Sequence, residues 1–466
     1  MPLDCTYRLR VPHRVGSLAR VTGTIADCEG LIGDVRTIVV ARREAIREIT
    51  VEVRDLEHAA SLSERLGALD GVHVIWYHDR AFIAHEGGKL RVEPVREVRS
   101  NQDMRDVYTP GVARVCTAIA EYPALARRFT TIGRTVAICT NGTRVLGLGD
   151  IGPLASMPVM EGKAMFYGQL AGISAVPVLI DTRDVDEFVE TVVRIAPSFG
   201  GIHLEDISAP ECFEIERRLI EALPQPVMHD DVHGTAVVSL AAAIVACREA
   251  GLRLDQAVVG QVGLGAAGFG IASLIHAAGA ERVIATDPGS DARARAAACG
   301  IEPVEDLETV MREADVVIAT TGVPGLIRPE LVRKGQVILA LSNPAPEITI
   351  DAALEAGAAA AADGTVVNNV LGYPGMFRGA LLAGAKAMTT DMKRAAAWAI
   401  AGLTVESDQL VPDPLDPRVH EAVAEAVRQA AIDSGVADPD RTPSSLDGER
   451  VPADVQPAGG ASRRAD

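Results

Sequence analysis

The sequence predicts an α/β protein in which a small antiparallel sheet unit precedes a larger body built on a parallel, doubly wound sheet. Three observations predict it. A chain of 466 residues exceeds what one hydrophobic core usually serves, so two to four domains are expected. Residues 4–80 alternate strand and helix patterns in the order βαββαβ. Residues 233–435 alternate short apolar runs with alanine-rich helical stretches, the pattern of a parallel sheet with crossover helices.

In the first unit, Cys5–Val11 alternates in strand fashion, and Ser17 is placed to cap a helix reaching Cys28. Strands follow at Leu31–Ala41 and Ile46–Arg54, then a helix from Leu56 to Leu69 and a strand at Val72–Tyr77. That order is a ferredoxin-like split βαβ. The turn Val15-Gly16-Ser17-Leu18-Ala19-Arg20-Val21 resembles the ACT-domain pattern, in which a turn glycine precedes a leucine-bearing helix. The resemblance implies a regulatory domain over residues 1–85 that takes an amino acid or other small-metabolite effector and pairs through its sheet. A ferredoxin-like interaction module without a ligand is the plainer alternative. Residues 86–100 are charged and lack periodicity, as a linker does. A middle region extends to 232, and the alternating region occupies 233–435. From Val436 to Asp466 the chain is rich in Pro, Ser, Asp and Gly, and a disordered tail is expected.

Composition limits the function. A formal charge of −18 argues against binding nucleic acid or an anionic membrane, both of which need a cationic field. The seven cysteines (Cys5, Cys28, Cys116, Cys139, Cys212, Cys247, Cys299) form no CxxC pair and are odd in number. They suit reduced thiols in a cytosol. The N-terminus lacks a basic-then-apolar signal pattern, and no uninterrupted apolar run approaches 18 residues. A soluble, cytoplasmic protein is expected.

The apolar run Ala257–Val262 leads into Gly263-Leu264-Gly265-Ala266-Ala267-Gly268, with a helical stretch behind it. In such a loop the first glycine permits a tight turn, the second admits a pyrophosphate to the backbone, and the third lets helix and strand pack closely. These six residues are therefore the candidate dinucleotide loop of a Rossmann-type domain. A second strand, Arg282–Thr286, ends at Asp287, 24 positions beyond Gly263. An acid there accepts bonds from both ribose hydroxyls and repels a 2′-phosphate, so NAD is expected over NADP. Because Pro288 and Gly289 follow, a plain turn residue is the lesser alternative for Asp287. Further strands are expected at Asp315–Ala319 and Val337–Leu341.

Two acidic pairs, Glu205-Asp206 and Asp230-Asp231, each follow a short apolar stretch. Acids gathered at strand ends repel one another and lose hydration, and a hard divalent cation relieves both effects. Mg²⁺ or Mn²⁺ fits such oxygen donors. Either pair alone is also what a solvated surface shows. The neighbouring His203, His229 and His233 match no zinc spacing and suit supporting roles.

Further motifs bring the pattern together. They are Tyr108-Thr109-Pro110-Gly111-Val112-Ala113, Val145–Pro153 (VLGLGDIGP) and Pro158–Ala164 (PVMEGKA). With them stand Leu204–Ile207 (LEDI), His229-Asp230-Asp231, Ser342-Asn343-Pro344 and Asn368–Gly375 (NNVLGYPG). Together these resemble the motifs of malic enzymes, in order, from about residue 100 to 400. The short bacterial branch with an ACT-like domain in front is the nearest likeness. The resemblance implies a metal- and NAD-dependent oxidative decarboxylation of L-malate to pyruvate and CO₂ by a homodimer or larger assembly. It assigns Tyr108 as general acid and Lys163 as general base contacting substrate, with Asp230 positioning the lysine. Glu205, Asp206 and Asp231 match the metal ligands. Asn343 and Asn368 or Asn369 match asparagines at the malate, Asn343 also lying by the coenzyme. Arg144 falls where larger forms carry a substrate-binding arginine. Three positions depart from the pattern: Asn141 in place of a common aspartate, Leu264 in a loop usually read GAGAAG, and Val232 in place of a glutamine. None removes a group that the chemistry needs.

The chemistry also sets an expectation for Lys163, whose pKa must fall through burial or a nearby cation before it can act as a base. Two other outcomes are compatible with the sequence. One is a malolactic-type enzyme that retains NAD and yields lactate. The other is a catalytically silent amino-acid-sensing protein, against which the retention of Tyr108, Lys163 and all three metal acids argues.

Overall fold

A computed structural model describes residues 2–365, 367–404 and 409–441. Its contacts divide between Arg91 and Val92 into two units. In the first, four antiparallel strands lie in the order Leu31–Val40, Glu44–Val53, Leu3–Pro12, His73–Asp79. The alternation noted above decides which face is covered: Cys5, Tyr7, Leu9 and Val11 point inward with Ile49, Val51 and Val53. Helices Ser17–Asp27 and Leu56–Gly67 meet them with Val21, Ile25, Leu62 and Leu66. Ser17 does not cap its helix. Gly16, at φ +81°, occupies that position, and Ser17 is the first helical residue with its hydroxyl buried and unpaired. A left-handed turn at this point favours glycine, which displaces the cap by one residue. A short helix, Arg80–His85, follows the last strand and had no sequence signal.

The second unit holds two parallel sheets. One runs Ser174–Leu179, Thr135–Thr140, Gly201–Leu204, Val227–His229. The other runs Glu302–Pro303, Arg282–Thr286, Val258–Val262, Val316–Ala319, Val337–Ala340, Ala360–Asp363. Its strand order is the 3-2-1-4-5-6 of a doubly wound dinucleotide fold. Between the sheets, helix Asp230–Glu249 is buried on nearly every side, as its Ala- and Val-rich sequence allows. It is long and apolar enough to cross a membrane, but it lies within this core. It also runs unbroken through residues 232–233, so the border expected there falls inside one element. Helices Tyr373–Leu382, Thr390–Leu403 and Pro417–Asp433 return to pack on one another and on helices Gly152–Ala171 and Asp230–Glu249. Residues 436–441, which the sequence assigns to a disordered tail, are tied to the body. The Val436 carbonyl accepts from Lys386, and the Asp438 amide donates to Ala383. Residues 442–466 lie outside the described residues.

Candidate active site

The acids converge because their strands are neighbours. Gly201–Leu204 and Val227–His229 pair in parallel, Leu204 opposite His229, so Glu205-Asp206 and Asp230-Asp231 leave the same edge of one sheet. That carboxyl edge is where open α/β sheets hold ligands. Asp206 has φ +54°, an uncommon conformation that an aspartate tolerates, and it turns the carboxylate back toward the sheet edge. Asp230 and Asp231 open helix Asp230–Glu249, where the positive end of the helix dipole favours negative charge. The Asp231 carboxylate accepts from the Asp206 amide at 3.0 Å, tying the two pairs together.

Oxygens of Glu205, Asp206 and Asp231 lie within 4.8 Å of one another. Burial raises the pKa of all three: Glu205 to about 7 against the pull of Lys163, and Asp206 to about 8 and Asp231 to about 6, these two also through repulsion by Glu205. Asp206 Oδ2 is buried with no hydrogen-bond partner. Crowded hard oxygen donors with an orphaned lone pair suit Mg²⁺ or Mn²⁺.

Helix Gly152–Ala171 presents Lys163 to this cluster. Its Nζ donates to Asp230 and sits 2.8 Å from Glu205 Oε1 and 4.9 Å from the centre of the Tyr373 ring. Burial alone would depress the amine, but Asp230 and then Glu205 hold it well above the usual lysine range. The expected lowering is thus reversed, because two anions touch the amine. Asn369 joins the group, donating to Asp230 Oδ2 at 3.2 Å and accepting from Thr235.

At the second sheet, Gly263 has φ +89°, and a side chain on Gly268 would begin 2.0 Å from the Gly263 carbonyl. Gly265, just before helix Ala266–Ala277, faces open space. The loop therefore leaves room for a pyrophosphate over the helix N-terminus, as a Rossmann-type loop does. The two carboxylate oxygens of Asp287 accept from the Leu264 and Gly289 amides, both at 2.7 Å. It braces the glycine loop as well as the turn after its strand.

Residues 87–220 match the malic enzyme N-terminal domain family. The chain is 52% identical over 428 residues to NAD-dependent malic enzyme 1 of Bacillus subtilis, covering 92% of this chain and 97% of that protein. The chain belongs to the malic enzyme family. It is also 40% identical over 471 residues to the NAD-dependent malic enzyme of Geobacillus stearothermophilus, covering 95% and 97%. The crystal structure of malic enzyme from Pyrococcus horikoshii matches with a TM-score of 0.74 and 36% identity, over 79% of this chain and 93% of that one.

Within this malic enzyme body the remaining motif residues separate. Asn343 lies at the carboxyl edge of the six-stranded sheet, donating to the Gly364 carbonyl at 3.1 Å. Asn368 caps the turn Asn369–Leu371 through the Val370 amide, so of the adjacent pair only Asn369 reaches the acids. Arg144 is exposed, and its amide donates to the Asp206 carbonyl, which sets it beside the cluster by its backbone. Tyr108 is not brought to the cluster's described contacts. It ends helix Asn101–Val107 and is 70% exposed.

The departures from the family pattern have structural roles. The Asn141 amide donates to the Thr182 carbonyl, and its oxygen accepts from Thr143. Leu264 and Val232 are buried apolar contacts. Sequence reasoning gave His203 a supporting role but missed its partner Tyr167, and it missed Glu347. Tyr167 and His203 form a buried relay behind the metal acids: Tyr167 Oη to His203 Nδ1 at 2.8 Å, and His203 Nε2 to Glu205 at 2.7 Å. Buried Glu347 accepts from Thr321 and Ser342, fixing the loops after two strands of the nucleotide sheet. Neither Tyr167 nor Glu347 has a local signal, since Tyr167 lies 36 positions from His203 and Glu347 lies 26 from Thr321.

Proposed function

We propose that this chain oxidises L-malate and decarboxylates it to pyruvate and CO₂, with NAD as coenzyme and Mg²⁺ or Mn²⁺ as metal. One observation carries the reading: a partly buried amine, Lys163, wedged between Asp230 and Glu205 beside a crowded three-acid cluster. Glu205, Asp206 and Asp231 would hold the cation, whose Lewis acidity would acidify the malate hydroxyl and favour loss of the β-carboxylate. Gly263–Gly268 and Asp287 would seat NAD, the hydride acceptor, and an acid at 287 disfavours a 2′-phosphate. Lys163, at the edge of the cluster, is the base that would take the hydroxyl proton. Asp230 and Asn369 hold that amine in place. Arg144, Asn343 and Asn368 or Asn369 are the candidates for contacting the malate carboxylates, and Tyr108 for protonating the carbanionic carbon after CO₂ leaves.

The test is a steady-state assay with malate, comparing NAD with NADP and Mn²⁺ with Mg²⁺. NADH and pyruvate in equal amounts are expected. Lactate without NADH would establish the malolactic reaction instead, and no turnover would favour a regulatory protein.

The N-terminal unit is read as an effector domain of ACT type. A cavity of about 470 Å³ lies between the short helix Arg80–His85 and the sheet face opposite the two longer helices, where Thr6, Arg8, Arg36, Glu48, Trp76 and His78 line it. Its mixed charge and aromatic wall suit a small zwitterion. Kinetics of the full chain and its Arg8→Ala variant across amino acids and acyl-CoAs test this. An effector whose action the variant loses supports it, and indifference to every compound removes it. We further infer a cytoplasmic homodimer or larger assembly. All seven thiols are free, as reducing surroundings allow.

A further inference from the structure

We propose that Glu347 is a positioning residue for the nicotinamide half of the coenzyme, its buried carboxylate clamping the two strand-end loops over which that half lies. The proposal rests on the NAD reading above. In the six-stranded sheet the glycine turn follows Val258–Val262, with Arg282–Thr286 on one side of that strand and Val316–Ala319 on the other. A dinucleotide crosses the carboxyl edge of such a sheet at this switch point, its adenosine half on the side of the acid that ends the second strand. That acid is Asp287. The nicotinamide half therefore falls to the loops that follow Val316–Ala319 and Val337–Ala340.

Those loops contain neither helix nor strand from Thr320 to Arg328 or from Leu341 to Thr349, and Gly322, Val323, Asn343 and Pro344 are exposed in them. An irregular loop keeps one shape only when its backbone polar groups are tied. Here the ties converge on one side chain. Glu347 is fully buried. Its Oε1 accepts from the Thr321 amide at 2.6 Å, the Thr321 hydroxyl at 2.7 Å and the Ser342 hydroxyl at 2.6 Å. The two hydroxyls extend the order outward. Ser342 Oγ accepts from the Gly322 amide at 2.8 Å, and Thr321 Oγ1 from the Val323 amide at 3.1 Å. Two backbone bonds then close the loops on each other: the Gly325 amide donates to the Pro346 carbonyl at 3.2 Å, and the Ile327 amide to the Glu347 carbonyl at 3.0 Å.

The clamp also reaches the pyrophosphate end. A side chain on Gly263 would begin 2.9 Å from the carbonyl of Thr320, the residue before the clamped threonine. The glycine turn and the two loops are thus held in one register. Three donors meeting at one oxygen call for a group that only accepts. Removing it leaves them without a partner where water is scarce, so the loops must rearrange. Asn343 follows the clamped Ser342 directly and moves with it.

Binding of NAD and of ADP separates the two halves, since ADP carries the adenosine and two phosphates but no nicotinamide. Glu347→Ala is expected to weaken NAD by about tenfold or more, the order of one hydrogen bond to a charged group, and to leave ADP within about twofold. Turnover of malate deuterated at C2 should show a larger isotope effect than in the wild type, because a misplaced ring slows hydride transfer. Glu347→Gln keeps an oxygen for the three donors and should recover most of both losses. Thr321→Val removes a single hydroxyl and reads the same contrast should Glu347→Ala not fold, with about a threefold loss for NAD alone. Equal weakening of NAD and ADP would show a carboxylate that serves only the fold, and would overturn the proposal. Unchanged NAD affinity and isotope effect in Glu347→Ala would overturn it too. A wild type that binds NAD without oxidising malate would sink the malate reading alone, because the binding contrast needs no malate and still decides the role of Glu347.

Discussion

At the scale of single residues, His203 has one tautomer open to it. Its Nε2 faces a carboxylate and must donate, so Nδ1 accepts the Tyr167 hydroxyl proton. Glu205 therefore has one oxygen fixed by the imidazole and the other by Lys163. Groups behind a metal ligand commonly set affinity by 10–100-fold, so His203→Leu should weaken Mn²⁺ binding by about that factor. His203→Gln, which restores an N–H donor, should recover part of it, and Tyr167→Phe should cost less. Titration of Mn²⁺ by electron paramagnetic resonance reads all three, and unchanged affinity in His203→Leu would remove the relay from the account. The sequence placed His203 beside an acid but gave no sign of Tyr167, because the pair meets only when a helix packs on the sheet. The same is true of Lys163. Its charge state is set by Asp230, 67 positions away, which no local pattern reports.

At the scale of elements, two joints carry the architecture. The Gly263–Gly268 turn has no space for a methyl at position 268. Gly268→Ala should cost about 1–3 kcal/mol and weaken NAD binding at least tenfold, by thermal melting and NAD titration. Equal NAD affinity in that variant would mean the loop relaxes freely. The second joint is Glu216, buried on helix Glu211–Ala222. It accepts from the His229 amide at 2.7 Å and from His233 at 3.0 Å, linking that helix to the start of Asp230–Glu249. Burial alone would raise its pKa, but His233 and its other donors win and bring it down to about 2. A depressed carboxylate stabilises the fold above its unfolded value, about 4.5, and that stability is lost as pH falls toward 2. Glu216→Gln should therefore be less stable by about 1–3 kcal/mol at neutral pH, with the gap closing between pH 4.5 and 2 in urea unfolding. A gap independent of pH would show that the carboxylate's charge contributes nothing.

At the scale of the molecule, three acids with raised pKa values oppose folding near neutral pH, because burial strips their charges of water and, at Asp206 and Asp231, Glu205 repels them. A cation that binds only the folded chain reverses this by mass action. Mn²⁺ at a hundredfold excess over its dissociation constant should add about 2.7 kcal/mol, visible as a higher melting temperature that a chelator cancels. Asp231→Asn should lose that response. A melting temperature indifferent to Mn²⁺ would separate these acids from metal binding.

The sequence by itself determined the elements and their kinds. Period-two alternation marked the N-terminal strands, and apolar runs with glycine turns marked the nucleotide sheet. Acid pairs after short strands marked the sheet edge that became the site. Those signals are local, arising from side-chain periodicity and backbone freedom within a few residues. Only the tertiary structure decided which strands are neighbours. That choice brings Glu205 to Asp231, Asn369 rather than Asn368 to Asp230, and the C-terminal helices back onto the first half. It also leaves Tyr108 outside its own cluster's contacts. Contacts of this kind depend on packing between segments far apart in the chain, where burial and repulsion act on groups that a sequence lists separately.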